Sequence, residues 1–521
     1  MSHLINERKC KLPIACKISL LVIPLVASLS AGAQAFVKLR TQGGEALRWG
    51  SSQVTVTLHQ DLAPQISDGS DEVAVREGFR AWERVADSDL SFRFDDAPAS
   101  RARADWASDD VHMVWFDPND SSGFFSQGTG LVAITPIDFN PQTGEITDAD
   151  ILVDARRTFS TRGDADAFDL QSVITHEVGH LLGLDHSPVH GSTMTPVPAL
   201  GDTRLRSLSP DEEAAVRALY PAANAYGALT GVLRRGDGSV VVGAHVVAEN
   251  LDGEPTAATL SNPDGTFLLE GLPPGDYVVY AEPLIDTFDT RRFDVRTQQR
   301  GIDTDFGVTF WGPSGKASDP LSPAQAGVSV GETRSLGSIT LRAPGSLHRT
   351  KLDSVALEPG DSYRLRAQGS GLTGTRRFYV TGRAGSTPRL SDTIVGLSNG
   401  SVKVEIPTTA QPQLHSIRIV NPSNGDCWVL TGGLEVRDPG PILTEISPRQ
   451  LSAAGERITL RGARLSSGAK VLIGSWLLNT SGSGDQLSFN APELGAGTYD
   501  VTIENPDGRI ATLRGVLEVA G

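Results

Sequence analysis

Cysteine is almost missing from this chain. The 521 residues hold three, and Cys10 and Cys16 stand at the start, leaving Cys427 alone in the rest. An intrachain disulfide beyond the first segment is thereby excluded, so cohesion must come from apolar cores and bound ions. Long apolar runs are scarce as well. The one run of note, Ile18 to Leu29, is broken by Pro24 and falls short of the ~20 residues a membrane helix needs. Basic charge is in deficit, with 46 Lys and Arg against 62 Asp and Glu for a net −16. That balance argues against nucleic acid or an anionic membrane as partner. Turn formers abound instead, 55 Gly and 31 Pro, a composition that favours short strands over long helices.

Arg8, Lys9, Lys11 and Lys17 precede or open the apolar run, and Ala33-Gln34-Ala35 follows it. This is the layout of a secretory signal peptide over 1–35, with the mature chain starting near Phe36. A faint lipobox at Leu12 to Cys16 precedes the apolar run instead of following it and is set aside. The mature protein is expected outside the cytoplasm, extracellular or periplasmic, not membrane-spanning, and monomeric. Its length calls for three to five domains.

Thr175 to Pro196 is the most informative stretch. It contains His176, Glu177, His180, Gly183 and His186, spaced H-E-x-x-H-x-x-G-x-x-H. Leu170, Val173, Ile174, Leu181 and Leu182 recur at helical spacing, with Asp169 as N-cap. On a helix, positions i and i+4 stack on one face, so His176 and His180 can converge on one ion. Gly183 permits a left-handed turn that ends the helix and returns His186 as a third nitrogen ligand. Three neutral imidazoles leave one tetrahedral position of Zn2+ open, the catalytic arrangement. Glu177 stands beside that position as a proton acceptor, not as a ligand. A helix with surface histidines would leave five fixed positions unexplained.

The pattern resembles the metzincin metallopeptidases and, within them, the matrixins. Ser187, Gly191, Met194 and Pro196 carry the resemblance further, matching the residue after the third histidine and the Met-turn. Thr195 stands where animal members usually carry Tyr. The resemblance implies that Met194 underlies the zinc site without binding it and that the catalytic domain covers residues 36–222. It implies a sheet-edge strand at Gly130 to Thr135, where Leu131, Val132 and Ala133 pair with substrate backbone. An ordinary buried strand fits those residues equally well. Pro196 and residues 195–207 would wall the specificity pocket. Asp148, Asp150 and Asp154 fall where matrixins carry structural Ca2+, though solvated strand-edge carboxylates give the same pattern. Only His112 lies between Asp105 and Gln171, so the second, structural zinc of animal members is not expected. Ser209 and Pro210 open the closing helix. There Asp211 would bind Met-turn backbone, or simply favour the helix dipole. His190 reads as a polar group beside the cleft or as a solvated loop histidine. No Cys lies between Lys17 and Asp426, so the cysteine that keeps animal members latent has no counterpart there.

Beyond residue 226 short strands and turns take over. Gly231-Val232-Leu233, Pro263-Asp264-Gly265-Thr266-Phe267 and Gly271-Leu272-Pro273-Pro274-Gly275-Asp276-Tyr277 resemble a carboxypeptidase-regulatory-like β-sandwich over 226–344. Ile417 to Pro422 parallels Val501 to Pro506, and Tyr363 to Arg366 parallels Ile458 to Arg461, which predicts two copies of one sandwich. The second, 441–521, resembles an IPT/TIG immunoglobulin-like domain through Ile446-Ser447-Pro448 and Gly497 to Val501. The first, 346–438, is a diverged copy, with Cys427 expected as a buried apolar thiol. The fold class expected is therefore an α+β metzincin catalytic domain followed by three all-β sandwich domains.

Two functions follow from different classes. One is a secreted zinc endopeptidase acting on protein or peptide, its sandwiches positioning it or binding an extracellular protein or glycan. The other is a surface adhesion or matrix-binding protein with a vestigial protease domain, against which the intact histidines and Glu177 weigh.

Overall fold

The computed structural model describes residues 37–520 apart from 103–105, 107–108, 127–129, 197–198, 223–224, 285–287, 314, 348–349, 370, 373–375, 383–386, 397 and 453. The expected signal segment lies outside the described residues. Among those residues no helix is long and apolar enough to cross a membrane.

The N-terminal region, expected to be the catalytic domain, opens with β1 (Arg48–Trp49) and β2 (Gln53–Leu58), then α1 (Ser70–Glu83) and β3 (Ser91–Asp95). After the short α2 (Pro98–Arg101) come β4 (Met113–Asp117), β5 (Ala133–Ile134), β6 (Ile137–Phe139), β7 (Glu145–Ala149) and β8 (Ile151–Asp154). β9 (Phe159–Ser160) and β10 (Phe168–Asp169) lead into α3 (Leu170–Leu181), and α4 (Pro210–Leu219) closes the region. The main sheet runs β3-β2-β4-β8-β5. Its first four strands are parallel and β5 is antiparallel on the rim. α1 presents Val75, Phe79 and Trp82, all buried, at the spacing of a single helical face. The helix lies directly on α3, where a Cβ on Gly78 would come within 2.7 Å of Ile174 Cγ2. Trp82 Nε1 donates to Thr175 O at 2.8 Å, tying the two helices at the level of the histidines.

Three β-sandwiches follow. The first joins the sheet Thr266–Leu272, Gly227–Arg234, Thr333–Thr340 to a second sheet built on His245–Asn250 and Gly275–Glu282. Its apolar interior is continuous with that of the catalytic region, one cluster running from Leu39 through Ala214 to Leu341. The last two sandwiches share one pairing scheme. Val355–Leu357 lies parallel to Cys427–Val436, as Gln450–Leu451 lies parallel to Ile510–Val519. Ser362–Gln368 pairs antiparallel with Asn399–Glu405, as Arg457–Leu465 does with Ser481–Asn490. The sequence parallels fall on equivalent strands, so the repeat is structural. Each copy has its own core, around Leu365 and Ile417 in one and Leu460 and Ile503 in the other.

Candidate metal centre and cleft

The site is built from the N-terminus of α3 onward. Asp169 caps the helix by accepting from Ser172 N at 3.0 Å. The far end stops at Gly183, which adopts φ +94°, and a Cβ there would sit 2.2 Å from Leu47 O. Only glycine, lacking a Cβ, combines that backbone with that approach. The chain then turns back and delivers His186 to the face carrying His176 and His180. Ring centroids lie 4.9, 5.3 and 4.9 Å apart. One ligand atom from each histidine lies within 4.8 Å of the others, and among the described residues no other His, Cys, Asp and Glu group could hold a metal.

The tautomers follow from the neighbours. His176 Nδ1 meets Thr193 O at 2.8 Å, His180 Nδ1 meets Leu184 O at 2.8 Å, and His186 Nδ1 meets Arg292 O. A carbonyl only accepts, so each Nδ1 carries the proton and each Nε2 keeps a lone pair. Burial lowers the His176 pKa to about 3, carries His180 well below its usual value and lowers His186 too. All three rings are therefore neutral at neutral pH, the form that binds zinc.

Glu177 shares the cavity, whose volume is about 510 Å³. Burial raises its carboxyl pKa to about 7, against the opposing pull of Thr135, whose Oγ1 donates to Oε2 at 2.7 Å. Leu131, Val132 and Ala133 line the same cavity beside the rim strand β5. The Leu131 and Val132 carbonyls are already taken by Arg157 and by Asp154 N, both at 2.9 Å. Thr195, Pro196, Ala199 and Leu205 also line it. Met194 is buried beneath α3, and a Cβ on Gly179 would lie 2.2 Å from its Sδ. Ser187 N donates to Met194 O at 3.0 Å, closing the turn.

Some residues stand elsewhere than expected. Asp211 does not bind the Met-turn. Its Oδ2 accepts from Ser187 Oγ at 3.0 Å and its Oδ1 from Ala258 N, in the second domain, at 2.7 Å. Glu212 takes the Met-turn instead, accepting from Met194 N at 3.0 Å. It is the third residue of α4, and the capping box with Ser209 already turns its carboxylate back over the helix start. Asp148, Asp150 and Asp154 do not gather round a point. Asp148 accepts from His112 Nδ1 at 2.8 Å, Asp150 from Met113 N at 2.8 Å, and Asp154 pairs with Arg156 at 2.7 Å. His190 is not a solvated loop residue. Its N donates to Thr431 O at 3.0 Å, and its buried Nε2 has no hydrogen-bond partner among the described residues. Cys427 is buried, and that burial raises its thiol pKa to about 12. Thr135 and Arg292 carry no motif in the sequence, and the Ser209-x-x-Glu212 capping box marks a helix start without pointing to the Met-turn, since each reaches the site from a separate part of the chain.

This constellation matches a family pattern: residues 48–221 fit the model of Matrixin. Residues 48–221 form a matrixin domain. A carboxypeptidase regulatory-like domain matches 228–304 and an IPT/TIG domain 441–515. The matrixin family implies zinc, and the three histidines are the group able to bind it. Similar proteins include metalloendoproteinase 2-MMP of Arabidopsis thaliana, 36% identical over 16% of this chain and 22% of that protein. Neutrophil collagenase of Homo sapiens is 28% identical over 33% of each chain. Interstitial collagenase of Sus scrofa is 30% identical over 33% of each. The chain thus spans a third or less of the length of these relatives.

Proposed function

We propose that this chain is a secreted zinc endopeptidase with Glu177 as its general base. The observation that carries the reading is the convergence of three neutral imidazoles, each locked by a carbonyl at Nδ1, on a cavity that also holds Glu177. The donor set fits zinc: three nitrogen donors and a free direction toward the cavity. Zinc bound there supplies Lewis-acid polarisation of the scissile carbonyl and acidifies water. The protein's own residues do the rest. The rim strand β5 and the residues before it offer an edge along which an extended peptide can lie. Glu177 Oε2 is fixed by Thr135, leaving Oε1 to take a proton from attacking water and return it to the departing amine. Met194 packs against Gly179 of the helix that carries His176 and His180. The basic and apolar leader supports export. The reading requires no Ca2+.

Glu177→Gln provides the test. The variant is expected to bind one equivalent of zinc and to unfold at the wild-type temperature. Its kcat on casein or a quenched peptide should fall ~10³-fold or more. Wild-type turnover in the variant, or zinc absent from purified wild-type protein, would sink the assignment.

A further inference from the structure

The second domain sends a segment away from its own sheets and into the catalytic cleft. It comprises a 3-10 turn, Thr290–Arg292, and a short helix α5, Val295–Gln299. Its place is fixed by contacts on several sides. Phe293 is buried against Val37 and Leu284. Asp185, beside the third histidine, accepts from Asp294 N at 3.0 Å and from Thr297 Oγ1 at 2.6 Å. The Arg292 carbonyl takes the Nδ1 proton of His186. The acidic groups of the segment are already engaged: Asp289 holds Arg291 at 2.8 Å and Asp294 holds Arg296 at 2.7 Å. Arg292 differs. It is among the residues that line the cavity, it is exposed, and among the described residues no ion pair or hydrogen bond occupies its guanidinium. A fixed backbone thus carries a cation with no hydrogen-bonded partner among the described residues at the wall of a cleft that must receive an extended peptide.

We propose that Arg292 is a specificity-determining residue, through which the second domain selects peptides that place a carboxylate beside His186. The inference rests on the endopeptidase reading for the direction of the cleft, not for its charge. A guanidinium fork fits a carboxylate in two parallel hydrogen bonds and fits an amide less well. Its backbone is already ordered, so binding loses little entropy beyond the side chain's own. The carboxylate can come from an Asp or Glu side chain or from a peptide C-terminus.

The test uses the full chain loaded with zinc and carrying Glu177→Gln, so that peptides bind without being cut. Fluorescent peptides with Glu or Gln at each position near the centre, C-terminally free or amidated, are titrated by anisotropy. One position should favour Glu by about fivefold, the range of a partly exposed ion pair. Arg292→Gln should abolish that ratio while the Gln peptide binds as before, and Arg291→Gln should leave the ratio intact. A preference that tracks amidation assigns the cation to chain ends; one that tracks Glu assigns it to side chains. An unchanged ratio in Arg292→Gln, or no acidic preference at all, overturns the inference. Hydrolysis is assayed separately with Glu177 present. Acid-selective binding without hydrolysis would remove the peptidase reading and keep Arg292's role, and hydrolysis without selectivity would do the reverse.

Discussion

Asp150 shows how one side chain can tie stability to pH. It is buried between β7 and β8, with Asp148, Asp109 and Asp138 adding repulsion, and burial raises its pKa to about 8. The unfolded chain should titrate it near ~3.9. Folding therefore favours the protonated form. The associated stability is fully present below the unfolded value and is lost as pH rises from about 4 through about 8. Asp150→Asn keeps an oxygen to accept from Met113 N, now at 2.8 Å, and removes the titration. Urea melts of the two proteins should match near pH 4. By pH 9 the variant should be more stable, by an amount on the order of a few kcal/mol. A gap that did not widen with pH would show that the carboxyl is ionised in the folded state throughout. His176 and His180 display the opposite sign: burial lowers their pKa, so protonation in acid works against both fold and metal.

At the scale of elements, α3 and the turn beneath it behave as one device. Gly179 lies between Met194 Sδ and Trp82, where an added Cβ would stand 2.2 and 2.9 Å from them. Gly179→Ala should therefore cost ~1–3 kcal/mol by overpacking, although alanine favours a helix over glycine. It should also tilt α3 against the floor of the rings, so zinc retention against a chelator should weaken along with the melting temperature. A variant as stable as wild type would mean that Met194 can shift aside freely. Much of this device is legible in the sequence because it is local. Helical spacing places His176 and His180, Asp169 and Gly183 mark the ends, and strand alternation with turn pairs announces the sandwiches. The repeated tail strands also align, because both copies solve the same packing problem. What could not be read is what crosses the chain. Thr135 meets Glu177 across 42 positions and Arg292 meets His186 across 106. No periodicity links such pairs, since they exist only once separate cores have packed. Asp211 and Glu212 adjoin in sequence, and which of them reaches Met194 depends on the helix-start geometry.

The whole molecule is organised by which apolar surfaces the domains share. The catalytic region and the second domain have one core, and a Cβ on Gly271 would lie 2.2 Å from Ala214 O of α4. The second and third domains meet through Val247, Val278 and Phe310 against Val420 and Val429, joined by Val189 of the catalytic region. Arg418 and Glu249 form an ion pair buried across the same joint. The fourth domain touches the catalytic region differently, through charges. Arg206 reaches Glu504 at 2.9 Å, Lys470 reaches Glu77 at 3.0 Å, and Arg162 reaches Asp500 at 3.2 Å. The partly exposed Arg162–Asp500 pair contributes ~0–1 kcal/mol; Arg206–Glu504 is buried and costs more to break, although Arg206 keeps Asp169 as a partner, and the sum still falls short of an apolar core. Truncations should therefore fail in a definite order. A chain ending at 440 loses mainly polar contacts, so it should stay monomeric, bind zinc and unfold in one transition a few degrees lower. Ending at 344 uncovers the apolar joint and parts Glu249 from Arg418, so that chain should associate and bind a hydrophobic dye. Ending at 222 divides a continuous core, so the matrixin domain alone should lack a cooperative melt even with zinc present. A chain of residues 36–222 with a sharp transition and bound zinc would show that its core closes unaided, leaving the sandwiches as appendages.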